Sequence, residues 1–163
     1  MNSRANTIIE FWFVKTPPEK RFKRDDAFDL EIRNNFMEDY NLARTGQYDD
    51  WLNKPKECLA LILLLDQFSR NLFRDKKEAF DQDHKARLAV NQGIYLGYLE
   101  DFNDTEKLFF LLPLIHSEEL IDHERAYGLL NKYLKNHPDI ITIKKFWSDH
   151  TNAIKKFRRY PHR

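Results

Sequence analysis

The sequence is short of the residues that turn, cross-link or extend a chain. Its 163 residues include four glycines, six prolines and one cysteine. Glycine and proline together reach about half the share of an average soluble protein, which excludes a collagen-like or loop-dominated chain. Two valines and six threonines stand against twenty leucines, too few strand formers for an all-β fold. The single cysteine, Cys58, excludes an internal disulfide and a multi-cysteine zinc site. It lies in an apolar run and reads as an inert buried thiol. The longest uninterrupted apolar run, Cys58 to Leu65, has eight residues, whereas about 20 are needed to span a bilayer. The N-terminal Ile8-Ile9-Glu10-Phe11-Trp12-Phe13-Val14 has no strong basic leader, is broken by Glu10, and precedes no small-residue cleavage site. A soluble, cytoplasmic protein with no membrane association is the expectation. Neither sign of charge dominates: 27 Lys and Arg face 26 Asp and Glu, a net +1.

What the sequence does hold is apolar and aromatic mass, 42% and 14% of the residues, enough for a packed core. No linker, low-complexity tract or internal repeat interrupts residues 1–163, so a single helical domain is expected. The first helix runs from about Arg4 to Val14 and stops before Pro17-Pro18. A second opens at Asp25-Asp26, carries Phe28, Ile32, Phe36 and Tyr40 at four-residue steps, and stops at Gly46. Tyr48 to Leu52 reads as a turn that buries Trp51. A third starts at Pro55, runs to about Phe73 and is apolar on most of its circumference, marking it as the central helix. A fourth spans about Lys76 to Tyr98, fraying at Gly93 and Gly97. A fifth opens at Asp104-Thr105 and is kinked or ended by Pro113. A sixth is capped by Ser117 and ends before His137-Pro138. A seventh opens at Asp139, runs to about Arg158, and carries the stripe Ile140, Ile143, Trp147, His150, Ile154, Phe157. The fold class is therefore all-α, about seven helices in an antiparallel α-hairpin stack or irregular α–α superhelix.

Three stretches concentrate polar chemistry. In Asp66-Gln67-Phe68-Ser69-Arg70-Asn71-Leu72-Phe73-Arg74, the pairs Asp66/Arg70, Arg70/Arg74 and Gln67/Asn71 stand four residues apart at the end of the most apolar helix. Polar groups in such a place need partners. An Asp66–Arg70 pair that ties the helix to its neighbours is one reading, and an anion pocket built on the arginine forks is the other. Pro113-Leu114-Ile115-His116-Ser117-Glu118-Glu119 places a titratable imidazole at a helix break. Ser117 reads as a cap, and the glutamates as complements to a helix dipole. His116 and Glu119 are three apart, but no Glu-x-x-His or His-Glu-x-x-His string occurs, so neither a metal nor another cofactor is expected. The last stretch, from Lys144 to Arg163, holds seven Lys and Arg and one Asp. A solvated, dipole-complementing helix end explains it better than a nucleic-acid surface. His150, alone on an apolar stripe, reads first as a core histidine.

Three strings, Leu64 to Arg74, Leu112 to Glu118 and Phe157 to Arg163, together resemble the bacterial domain-of-unknown-function 924 family. Glu10-Phe11-Trp12-Phe13 and Ala79-Phe80-Asp81-Gln82-Asp83 fit the same pattern. The resemblance runs over essentially the whole chain and implies an all-helical, tetratricopeptide-like stack with no established activity. It marks Asp66, Gln67, Arg70, Asn71, Arg74, Asp83, His116, Ser117, Glu118, His150, Arg159, His162 and Arg163 as signature polar positions. The sequence departs from the pattern at Ser69, where the family has proline, and at Arg158, where it has glycine, so the local backbone is open to change. His123 stands in place of a glutamine, which argues against an essential ligand role there. Relatives continue past Arg163 with an asparagine and a tail. Without these, whether by truncation or natural shortening, a terminal pocket would lack one wall.

The leading functional reading is a polar pocket at helix ends that binds a small anionic molecule or an acidic peptide terminus. Its ligand-binding candidates are Asp66, Gln67, Arg70, Asn71, Arg74, His116, Ser117, Glu118, His150, Arg159, His162 and Arg163. The alternative is an enzyme with His116 as acid/base, Asp66 or Glu118 as its orienter and Arg70 stabilising negative charge. A third is a protein-interaction scaffold with a structural polar cluster, although no repeat near 34 residues is visible. Oligomeric state and ligand identity are not written in these features.

Overall fold

A computed structural model describes residues 1–163 and contains helices and turns but no strand. Contacts divide it into two compact units, Met1–Phe102 and Asn103–Arg163.

The first unit holds four helices. Helix α1, Ser3–Glu10, begins because the Asn2 side chain accepts the backbone N–H groups of Arg4 and Ala5. It buries Ala5, Ile8 and Ile9, then widens into a π-helical turn, Phe11–Lys15. That turn closes through Thr16 N–H to the Phe11 carbonyl at 3.0 Å. Thr16 itself is extended, as a residue before proline must be. Helix α2, Asp26–Arg44, is capped by Asp25, whose carboxylate accepts Phe28 N–H at 3.1 Å. The expected stripe Phe28, Ile32, Phe36, Tyr40 is buried along its length, and Gly46 takes the left-handed turn (φ 89°) beyond its end. Trp51 is buried by a short 3₁₀ turn, Asp49–Asn53.

Helix α3 starts at Pro55 and is α-helical over Pro55–Ile62 and Ser69–Leu72, with a π-helical turn at Leu63–Phe68 between them. Leu59 through Leu65 are all essentially inaccessible to solvent, so this is the central helix that its composition predicts. Phe11, Trp12, Phe28, Phe36 and Phe68 interlock around it. Ring centroids lie 4.9 Å apart for Phe11–Phe36, 5.1 Å for Phe36–Phe68 and 5.5 Å for Trp12–Phe68. Helix α4, Asp83–Tyr95, starts later than its sequence pattern suggests. Residues Lys77–Phe80 form a separate 3₁₀ turn, and Gln82 (φ −103°, ψ 9°) breaks the helical path between them. Gly93 does not fray the helix but is buried inside it, and Gly97 (φ 77°) provides the terminating left-handed residue.

The second unit holds three. Helix α5, Asp104–Ile115, opens with a reciprocal capping box between Asn103 and Glu106. It runs through Pro113 rather than stopping there and ends at His116, whose N–H reaches the Leu112 carbonyl. Helix α6, Leu120–Tyr133, begins three residues after Ser117. Ser117 instead caps the turn before it, its hydroxyl accepting Glu119 N–H at 3.0 Å and donating to Asp122 at 2.6 Å. Helix α7, Ile140–Phe157, turns Trp147, Thr151 and Ile154 inward, leaves Ile140, Ile143 and His150 half-buried, and leaves Phe157 exposed. The stripe therefore ends one turn earlier than its spacing suggests. Arg158 terminates α7 in the left-handed conformation, φ 62° and ψ 11°, a backbone that glycine adopts without steric cost.

Two stability outcomes follow. Phe68→Ala empties the centre of the aromatic cluster and is expected to cost about 3–5 kcal/mol, read as a fall in thermal midpoint on the order of 10 °C. Arg158→Gly relieves an unfavourable φ and is expected to raise stability by about 0.5–1 kcal/mol, measured by urea unfolding. A loss of stability in that variant would show that the Arg158 side chain outweighs its backbone.

Candidate functional site

In the first unit, the π-helical turn at Leu63–Phe68 carries the fully buried Asp66 and the buried Gln67. A widened turn breaks the regular carbonyl ladder, and side chains fill in. Ser69 Oγ donates to the Leu65 and Asp66 carbonyls at 2.8 and 3.0 Å, and Arg70 also donates to the Asp66 carbonyl. Gln67 Nε2 donates to the Asp66 carboxylate at 2.8 Å. Arg70 is forked onto Asp83 with bonds of 2.9 and 3.0 Å and stands 3.5 Å from Asp66 Oδ1. The anticipated Asp66–Arg70 pair is therefore present, with Asp83 as the nearer partner. Arg74 is likewise forked onto Asp29, to which Asn71 Nδ2 adds a bond of 2.9 Å. Burial would raise the Asp29 pKa, but the bonds from Arg74 and Asn71 outweigh it and hold the carboxyl below its ordinary range. Both forked arginines are engaged inside the chain. Cys58 is buried and its thiol is pushed up to about 12, as an inert core cysteine should be.

In the second unit, residues from two of the three strings, Leu112 to Glu118 and Phe157 to Arg163, meet His150 of α7 around Tyr160. Its hydroxyl donates to the Ile115 carbonyl, and its N–H donates to the Glu118 carboxylate. The His150 ring lies 5.7 Å from Tyr160 and 6.0 Å from His116, and the His162 ring lies 5.7 Å from Tyr160 on the C-terminal side. Arg163 places its guanidinium 4.8 Å from the Tyr160 ring centroid and donates to the His116 carbonyl at 2.8 Å. His116, Glu118, His150, His162 and Arg163 are thus brought together, whereas Arg159 is exposed.

His150 Nδ1 faces the Phe146 carbonyl at 2.9 Å, so that nitrogen carries the proton and Nε2 keeps its lone pair. Burial lowers the His150 pKa, and the neighbouring imidazoles of His116, His123 and His162 lower it further. The ring is neutral at pH 7.

His123 was not among the candidate ligands, and it lies in the core. Nε2 meets the Ser117 carbonyl at 2.7 Å and Nδ1 meets the Thr151 hydroxyl at 2.8 Å. Burial lowers its pKa as well. The neutral ring then donates from Nε2 and accepts at Nδ1, the same donor–acceptor pair that a glutamine amide offers. Its role is structural. Among these residues, no grouping of His, Cys, Asp and Glu could hold a metal ion.

The signature residues therefore form two clusters: an ion-paired one on α3 in the first unit, and an imidazole–guanidinium one around Tyr160 in the second. An all-α chain with this polar signature defines a class by sequence as well as by fold. The chain belongs to the bacterial protein family of unknown function DUF924, whose model matches residues 8–163. It is similar to a solved structure described as a protein of unknown function, ATU0120, from Agrobacterium tumefaciens. That match has 32% identity and a TM-score of 0.87, over 98% of this chain and 87% of the other. No curated protein matches the sequence. No helix is long and apolar enough to cross a membrane.

Lowered histidine pKa values tie stability to pH with a definite sign. Below the ordinary value of 6.5 the unfolded chain takes up protons that folded His123 and His150 resist. Stability is then complete above about pH 7.5 and falls on acidification through the window below 6.5. The thermal midpoint should drop between about pH 7.5 and 5.5, and His123→Gln should keep the fold while flattening that slope. An unchanged slope in the variant would remove His123 from the account.

Proposed function

We propose that this protein binds a small anionic molecule, or the acidic end of a peptide, at the imidazole–guanidinium cluster around Tyr160. The observation that supports it is the meeting of His116, His150, His162 and Arg163 at one tyrosine, from segments far apart in sequence. Arg163 supplies a permanent charge, His116 and His162 add ring N–H groups, and the neutral His150 supplies a donor that becomes cationic when an anion approaches. Glu118 fixes the backbone at Tyr160 and so holds the terminal segment in place. In this reading Asp66, Gln67, Arg70, Asn71 and Arg74 are a bonded support, since Arg70 and Arg74 already face Asp83 and Asp29.

Binding that draws a proton onto an imidazole strengthens as pH falls. Calorimetric titration with inorganic phosphate, citrate and a peptide ending in two aspartates is expected to give affinities roughly tenfold higher at about pH 6 than at about pH 8. With the peptide, whose carboxylates stay ionised between about pH 6 and about pH 8, His150→Gln with His162→Gln should weaken binding and reduce its pH dependence. The absence of saturable binding at either pH, or equal binding by the double variant, would overturn the reading.

A second reading rests on one bond. With Nδ1–H held by the Phe146 carbonyl, His150 Nε2 is a positioned neutral base, better prepared for proton transfer than the His116 imidazole favoured on sequence grounds. An activity lost in His150→Gln but kept in His116→Gln would favour an enzyme of this kind.

A further inference from the structure

A groove of about 310 Å³ in the first unit is lined by residues of α2 and the segment just before it, the end of α3 and the segment that follows it. Four cations line it, Arg24, Arg33, Arg74 and Lys76, against the carboxylates of Asp26 and Asp29. How these groups pair decides what charge is left over. Asp29 is neutralised by the Arg74 fork. Arg24 is bound to Asp75 at 2.7 Å and lies 4.0 Å from Asp26. Arg33 donates to the Leu72 carbonyl, at the end of α3, and so satisfies a helix terminus without neutralising its own charge. Lys76 stands on the same wall and also faces no carboxylate within ion-pair distance. Arg33 and Lys76 are therefore the two cations of the groove without a carboxylate of their own, while Asp75 and Asp26 share Arg24 and bring the sum of these groups to +1. Leu30, 56% exposed, adds an apolar surface beside them.

The geometry points to a binding site for a small phosphate monoester, its dianion held by Arg33 and Lys76 and a compact apolar group resting on Leu30. The arginine fork and the ammonium together match a phosphate dianion. A short dicarboxylate would meet the same charges but bring nothing to cover Leu30. The groove volume is at the lower end for small-molecule sites, which limits the ligand to a compact one. This site lies in the other unit from the Tyr160 cluster, and its residues are different, so either reading can fail alone.

The test is an amide NMR titration of the full chain with phenyl phosphate, inorganic phosphate and phenol. Phenyl phosphate is expected to shift Leu30, Arg33 and Lys76 saturably and to bind roughly fivefold more tightly than inorganic phosphate, from the added apolar contact. Phenol alone should leave these amides unmoved. Lys76→Gln is the deciding variant, because Lys76 holds no bond that the fold depends on. It should weaken phenyl phosphate about five- to tenfold, and added salt should weaken the wild type in the same direction. Arg33→Gln should do the same, each loss being read at the Leu30, Arg33 and Lys76 amides so that any phosphate taken up around Tyr160, which would shift residues 103–163, is counted apart. Shifts confined to residues 103–163, no saturation, or unchanged affinity in Lys76→Gln would each overturn the site.

Discussion

A helix with no face open to water can carry polar residues only if each one is bonded, and α3 is such a helix. Leu59 to Leu65 anchor it in the first unit, and the π-helical turn that follows brings Asp66 and Gln67 into the same interior. A buried carboxylate without partners would cost several kcal/mol, so the surroundings are arranged to supply them. Gln67, Ser69 and Arg70 each bond to the carboxylate or carbonyl of Asp66. Arg70 then requires Asp83, and one turn on, Arg74 and Asn71 converge on Asp29. Through these bonds α3 fixes both α2 and the start of α4, which the aromatic cluster alone would hold less specifically. Apolar packing sets the depth of the helix, and the ion pairs set its register.

The second unit uses a different device for the same need. Helix α5 runs through Pro113 and ends at His116, and the carbonyls left at Ile115, His116 and Ser117 would be buried unpaired. Tyr160, Arg163 and His123 each take one of them. The terminal segment is therefore part of how α5 ends, and the imidazoles of His116, His150 and His162 are gathered as a consequence. The neutral His150 and the permanently charged Arg163 share the Tyr160 ring as their neighbour.

Arg158, His123 and Ser69, where the resemblance implies glycine, glutamine and proline, are each accommodated in a different way. Arg158 occupies the left-handed conformation that glycine adopts freely, so the backbone stays and the strain is borne locally. His123 reproduces the donor and acceptor of a glutamine, at the cost of a titratable group in the core. Ser69 keeps an N–H that a proline lacks, bonded to the Leu64 carbonyl across the π-helical turn.

The sequence by itself determined the all-α class, the buried stripe of α2, the central place of α3 and the polar strings. Each of these depends on local periodicity or on capping chemistry within a few residues. The boundaries that moved, at α4 and α6, did so where turn bonds compete with helix, as at Ser117. The partners were decided only by the tertiary structure. Asp29 lies 45 residues from Arg74, and the Tyr160 hydroxyl reaches back 45 residues to Ile115. No spacing rule links such positions. Which arginine is engaged and which keeps its charge depends on what chain packing brings within bonding reach.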